Sequence, residues 1–188
     1  MTVVGSMDEH LRVIGDLREL ASEIERAAEE IERRLHDGGT VFFMGNGGSA
    51  ADSQHLAAEL VGRFKIERAA LPGIALTTDT SILTAVGNDY GFDQIFARQV
   101  EALCGEKDVV VGLSTSGNSP NVLLALEAAG RQGAYRIGMT GRGGGKMAQH
   151  CEQCLAVEST DTARIQEAHI LIGHIFCDLV EGSIGEKG

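Results

Sequence analysis

His55 and Glu59 stand four residues apart, and Gln166 and His174 stand eight apart much later in the chain. A four-residue step is just over one helical turn, so His55 and Glu59 project from one face of a helix. An eight-residue step leaves Gln166 and His174 roughly 80° apart around their axis, able to meet at one point only where their helix passes close to it. Two imidazoles, a carboxylate and a neutral amide oxygen are a plausible ligand set for a divalent metal. Mixed nitrogen and oxygen donors suit zinc. On spacing alone, the same residues also read as a surface His–Glu pair and a core histidine.

A second constellation is rich in glycine and hydroxyls. Gly45-Asn46-Gly47-Gly48-Ser49 follows the apolar run 41–44, and Ser114-Thr115-Ser116-Gly117-Asn118-Ser119-Pro120 follows the apolar run 109–113. Glycines let the backbone approach an anion, amides and hydroxyls donate to it, and a helix N-terminus adds a favourable dipole. Neither loop carries the lysine of a nucleoside-phosphate loop, and neither is a dinucleotide fingerprint with its ribose-binding acid. Helix capping accounts for one hydroxyl, such as that of Ser49, but the second loop offers four. Asn46, Gly47, Gly48 and Ser49, with Ser114, Thr115, Ser116 and Ser119, therefore read as a cradle for a sugar phosphate.

These residues need elements to hold them. Residues 8–36 form one long amphipathic helix by pattern, stopped by Asp37-Gly38-Gly39. Apolar runs at 41–44, 73–77, 108–113, 135–140 and 154–157 then alternate with helical stretches near 49–62, 79–86, 92–103, 119–132, 143–149 and 162–182. Runs such as Val109-Val110-Val111-Gly112-Leu113 lack alternation, as in strands covered on both faces. The expected fold is a three-layer α/β/α sandwich around a doubly wound, mostly parallel, five-stranded sheet. In such sheets ligands bind at the carboxyl ends of the strands, where both loops fall. The last helix is apolar around much of its circumference, which with helix 8–36 predicts a subunit interface.

The bulk properties exclude some partners. The 188 residues suit a single domain, 1–188, and the 43% hydrophobic content suits an ordinary core. A net charge of −11 argues against DNA or RNA as a principal partner, because binding a polyanion requires phosphate neutralisation by Lys and Arg. No stretch approaches the roughly 20 apolar residues of a membrane span, and no leader pattern opens the chain, so the expected location is cytoplasmic. Cys151 and Cys154 form a C-x-x-C that no second pair completes, and all four cysteines are expected to be reduced.

With "GNGGSAADSQHLAAEL", "LTAVGNDYGFDQIFARQV", "STSGNSPNV" and "ARIQEAHILIGHIFCDLVE" in this order, the chain resembles the sugar isomerase (SIS) domain family over nearly its whole length. Within it, the likeness is to the phosphoheptose isomerase branch, which interconverts sedoheptulose 7-phosphate and glycero-manno-heptose 7-phosphate. The resemblance implies a flavodoxin-like SIS fold, a homotetramer and a role in heptose biosynthesis. It implies one zinc per subunit on His55, Glu59, Gln166 and His174, with Glu59 as base and His174 as acid. It also implies substrate contacts from the two loops, Glu59, Gln166 and the pair Asn88-Asp89, whose local reading is a capped turn. Arg63 is open between a surface charge and a site residue, and His169 is the rival histidine to His174. Some members carry an acid where this chain has Ala163, so no role for such an acid carries over. Two alternatives remain at this point. One is a partner-binding relative of the replication-initiator-associating type, which lacks equivalents of Glu59 and His174; the other is an isomerase for another ketose phosphate.

Overall fold

The computed structural model describes residues 2–185, with side chains through residue 183, so the expected range of 1–188 runs slightly past it at both ends. Five strands occur among the described residues: β1 (Val41–Gly45), β2 (Gly73–Ala75), β3 (Val109–Ser114), β4 (Tyr135–Thr140) and β5 (Gln153–Ala156). They form one sheet in the order β2-β1-β3-β4-β5, and every pairing is parallel. Every residue of β1 and β3 is buried, the signature of central strands covered on both faces.

The helices are α1 (Val3–Asp16), α2 (Ala21–His36), α3 (Gly48–Val61), α4 (Thr80–Tyr90), α5 (Ala97–Leu103), α6 (Pro120–Arg131) and α7 (Thr162–Gly185). Alternate strand residues enter separate cores. Val41 and Phe43 of β1, with Val109, Val111 and Leu113 of β3, pack with α1, α2, α3 and α7. Phe42, Met44 and Val110 point the other way and pack with α5 and α6. The layered sandwich follows from that strict period of two.

Several boundaries differ from the sequence expectation. The helix expected over 8–36 begins at Val3 and is interrupted by a 3-10 turn at Leu17–Leu20. Gly15 and Asp16, both weak helix formers, lie just before the break, yet Val13, Leu17 and Ile24 still enter one core. The helix expected at 92–103 is a 3-10 turn, Phe92–Gln94, followed by α5. The segment expected as helix 143–149 is only a 3-10 turn over Gly145–Gln149, because Gly143, Gly144 and Gly145 all take positive φ. Gly87–Tyr90, expected as a turn, is the last turn of α4, which Gly91 ends at φ +93°.

What positions the site is the reversal of strand order beside β1. Gly45 pairs with Leu113, so the loops leaving β1 and β3 are neighbours at the carboxyl edge. The helices they open, α3 and α6, lie on opposite faces of the sheet. A crevice between diverging helix N-termini is the standard ligand position in an open α/β sheet.

Candidate active site

The glycine loop is shaped by close approach. Gly47 sits at φ +56° as the residue before α3, and no side chain caps that helix. Ser49 lies inside the first turn and is buried, so capping does not explain it. At Gly48 a Cβ would come within 2.7 Å of Gln166 Nε2 and 2.8 Å of Oε1. The Gln166 amide on α7 thus rests directly on the loop, and only glycine leaves it room.

The hydroxyl loop is bonded to itself. Ser114 Oγ lies 2.9 Å from Ser119 Oγ and 3.5 Å from Ser116 Oγ. Ser119 immediately precedes α6 without making a side-chain cap bond, so its hydroxyl is turned toward the loop instead. Pro120 takes the first helical position, where its missing N–H costs nothing. Gly117, at φ +64°, allows Gly144 O to approach to within 2.3 Å of where a Cβ would stand.

The two loops are fastened to one another by a residue the sequence reading passed over. Asn46 Nδ2 donates to Asn121 Oδ1 at 2.9 Å, and Asn121 Nδ2 returns the bond to Asn46 Oδ1 at 2.8 Å. Asn121 is 2% exposed. An amide in the buried first turn of a helix, just after the Ser-Pro boundary, was the signal available.

The three ionisable candidates converge as their spacing allows. His55 Nε2 is 2.9 Å from His174 Nε2 and 3.3 Å from Glu59 Oε1. One ligand atom from each of His55, Glu59 and His174 can be chosen so that all lie within 4.8 Å of one another. The convergence depends on how closely α3 and α7 approach. Leu56, next to His55, packs so tightly on Gly173, next to His174, that a Cβ there would lie 2.4 Å from Leu56 Cδ2. Phe64 stacks on the His174 ring, with centroids 5.4 Å apart and planes 28° from parallel.

Other residues named from sequence fall elsewhere. His169 is fully buried and its Nε2–H donates to Thr140 O at 3.2 Å. Burial, partly offset by that bond, pushes its pKa down to about 4, so it is a neutral core histidine. Arg63 is exposed and pairs with Glu67 at 3.7 Å, a surface ion pair. Asn88 donates to Asp89 Oδ1 at 2.8 Å, and both are exposed at the end of α4, a helix with no buried residue. Asp161 caps α7 by accepting from Ala163 N at 2.8 Å. All four cysteines are free, and burial holds each thiol above its ordinary pKa, which leaves them protonated and unreactive.

Comparison with known proteins agrees with this architecture. The SIS domain family pattern matches residues 7–141. The chain is 60% identical over 168 residues to the phosphoheptose isomerase of Rhodospirillum rubrum, covering 89% of each. It is 58% identical over 167 residues to that of Aquifex aeolicus, covering 89% of this chain and 87% of the relative. The chain belongs to the SIS domain family, among its phosphoheptose isomerases. The solved phosphoheptose isomerase of Neisseria gonorrhoeae superposes with a TM-score of 0.91 at 45% identity, over 96% of this chain and 97% of that one. The Francisella tularensis enzyme superposes at 0.88 and 38% identity, over 97% and 100%. Membership favours an isomerase over the partner-binding alternative. Among the described residues, no helix is long and apolar enough to cross a membrane.

Proposed function

We infer that this SIS domain is an aldose–ketose isomerase that converts D-sedoheptulose 7-phosphate to D-glycero-D-manno-heptose 7-phosphate, the entry to nucleotide-activated heptose synthesis. The observation that carries the reading is the meeting of His55, Glu59 and His174 on α3 and α7, two helices whose N-terminal residues Gly48 and Gln166 meet at the glycine loop. The phosphate is held by the amides of Gly47 and Gly48, with hydroxyls from Ser49, Ser114, Thr115, Ser116 and Ser119, since the Ser49 amide already donates to Asn46 O at 3.0 Å. This needs no lysine, because the helix N-termini supply partial positive charge. Asn46 and Gln166 complete the sugar contacts, while for Asn88 and Asp89, which stand apart on α4, a contact rests on the family resemblance alone.

The donor set suits zinc in its chemistry: two imidazoles and a carboxylate with ligand atoms within 4.8 Å of one another, and the Gln166 amide on the same helix as His174. His55, Glu59, Gln166 and His174 would hold one ion per subunit. When bound, it supplies positive charge for the oxygens on C1 and C2 as they become anionic. The protein's own residues carry the protons. Glu59 removes a proton from C1, and the C–H electrons form the C1–C2 double bond of an enediol. The same carboxyl then returns a proton to C2. His174 works at the oxygens: it protonates O2 as the enediol forms, and then takes the proton of the O1 hydroxyl as C2 is protonated and the aldehyde forms, which restores its starting state. Oε1 of Glu59 faces His55, which leaves Oε2 for the carbon.

Uncovered apolar surface supports an assembly. Val3, Val4, Met7 and Leu11 of α1 are exposed, as are Tyr90 and Phe92 at the end of α4. α7 is more covered within the subunit than its composition suggests, since Ile165, Ala168, Ile172, Phe176 and Val180 enter the core. We assign the single SIS domain to a cytoplasmic homotetramer, with segments 8–36 and 162–182 at its interfaces. The test is turnover of a panel of ketose phosphates, before and after chelation. Selective conversion of the heptulose phosphate, lost on chelation and restored by zinc, is expected. No conversion, or conversion indifferent to the chelator, contradicts it.

A further inference from the structure

Beyond the triad, a buried ion pair joins the two helices that carry it. The segment after α3 turns back at 62–72, and Arg68 within it points inward with a side chain only 3% exposed. Its guanidinium donates to the carbonyls that end α3: Nη2 to Glu59 O at 2.8 Å, and Nη1 to Leu60 O at 2.9 Å. Nη1 also donates to Ala69 O at 3.0 Å. Its Nε lies 3.0 Å from Glu181 Oε1 but makes no aligned hydrogen bond, so the attraction there is one of charge. Arg68 therefore grips the backbone of Glu59 itself, and a cation suits that end of the helix dipole.

Glu181 stands seven residues after His174, two turns along the same face of α7. Its carboxylate is saturated. Oε1 accepts from Phe64 N at 2.9 Å, while Oε2 accepts from Lys65 N at 2.5 Å and Ile66 N at 2.9 Å. Desolvation pulls its pKa upward, but three backbone donors and the Arg68 charge outweigh it and hold the carboxyl ionised below its usual range. The segment so fixed carries Phe64, whose ring lies on His174. One carboxylate on α7 thereby sets the place of the Phe64 ring, while its ionic partner sets the end of α3.

A buried ion pair contributes little to stability once desolvation is counted, so its use lies in enforcing one geometry. We propose that Glu181 and Arg68, with Phe64, are positioning residues of the isomerase site, clamping α3 to α7 so that Glu59 and His174 meet the reacting carbons correctly. The inference rests on the isomerase reading of that triad. The clamp works at the end of α3 remote from the phosphate cradle: from Gly48 to Glu59 the helix rises about 16 Å. Disturbing it therefore acts on turnover rather than on phosphate affinity.

The test compares Glu181→Gln, Phe64→Ala and Phe64→Tyr with wild type, well below their melting temperatures. Outer-shell partners of this kind are worth about 10- to 100-fold in activity. Glu181→Gln and Phe64→Ala should lose kcat on that scale with KM little changed, and Phe64→Tyr, which keeps the ring, should stay near wild type. Lower melting temperatures with wild-type kcat in both deleterious variants would overturn the proposal. If Glu181→Gln does not fold, the Ala and Tyr pair at position 64 decides alone. Glu59→Gln, run in parallel, separates the two levels. No turnover in wild type removes the isomerase reading and full activity in Glu59→Gln removes the role of that residue, whereas inactivity of Glu59→Gln alongside normal Phe64→Ala and Glu181→Gln removes only the clamp.

Discussion

Gly173→Ala perturbs the contact on which convergence of the triad depends. A methyl group there would meet Leu56 Cδ2 at 2.4 Å, Cδ1 at 2.5 Å and Cγ at 3.0 Å. Carbon contacts rest at about 3.5–4.0 Å, so the deficit exceeds about 1 Å. Leu56 is 0% exposed and has little room to turn away. Overpacking of this kind costs about 1–3 kcal/mol, against which Ala gains about 1 kcal/mol over Gly in helix propensity. The net loss of about 0–2 kcal/mol lowers the melting temperature by a few degrees and leaves a folded protein. Activity should suffer far more. Separating α3 from α7 by about 1 Å displaces His55 and Glu59 from His174, and such a misplacement costs on the order of 100-fold in rate. Adding Leu56→Ala removes the obstructing atoms, so the double variant should regain turnover while losing stability to the cavity. Steady-state kinetics with calorimetry on both variants checks this. Wild-type turnover in Gly173→Ala, or no recovery in the double variant, would refute the argument that this spacing sets the site.

Gly48→Ala should separate stability from function in the opposite sense. Its Cβ meets only the movable end of Gln166, so the melting temperature should hold or rise, while displacement of that amide weakens turnover and substrate binding. Unchanged kinetics would show that Gln166 has no part in the site. His169 predicts an acid limb of stability. Its pKa falls from 6.5 to about 4 on folding, so the unfolded chain binds the proton more readily. A group depressed in this way stabilises the fold above the unfolded value, and the contribution is lost as pH falls from 6.5 toward 4, at a cost of roughly 3 kcal/mol. Denaturant titrations of His169→Gln should show a shallower loss over that window than wild type; an equally steep loss would contradict the assignment.

Much of this was legible in the sequence because it rests on local periodicity. The unbroken apolar runs of β1 and β3 announced central parallel strands, and the loops after them fell at the ends where ligands bind. The i, i+4 step placed His55 and Glu59 on one face of α3. What stayed hidden was pairwise and distant. Nothing local says that Asn46 bonds Asn121, or that Arg68 reaches the carbonyl of Glu59 while facing Glu181. Glu181 did leave a trace, as an acid seven residues from His174 on the buried face of an apolar helix. The break at Leu17–Leu20 was masked because the hydrophobic period runs through it. The choice of His174 over His169 came from family resemblance, and burial of His169 against Thr140 supplies its physical basis.

The central claim is that Glu59 and His174 move the protons of an aldose–ketose isomerisation. Its most direct test follows sedoheptulose 7-phosphate by NMR in deuterated water with wild type, Glu59→Gln and His174→Gln, each confirmed as folded. Wild type should give the aldose phosphate carrying deuterium at C2, because the proton held on Glu59 exchanges with solvent before it is returned. Both variants should give no product above background. Near-normal product formation by either variant would contradict the role assigned to that residue, and by both, the account as a whole.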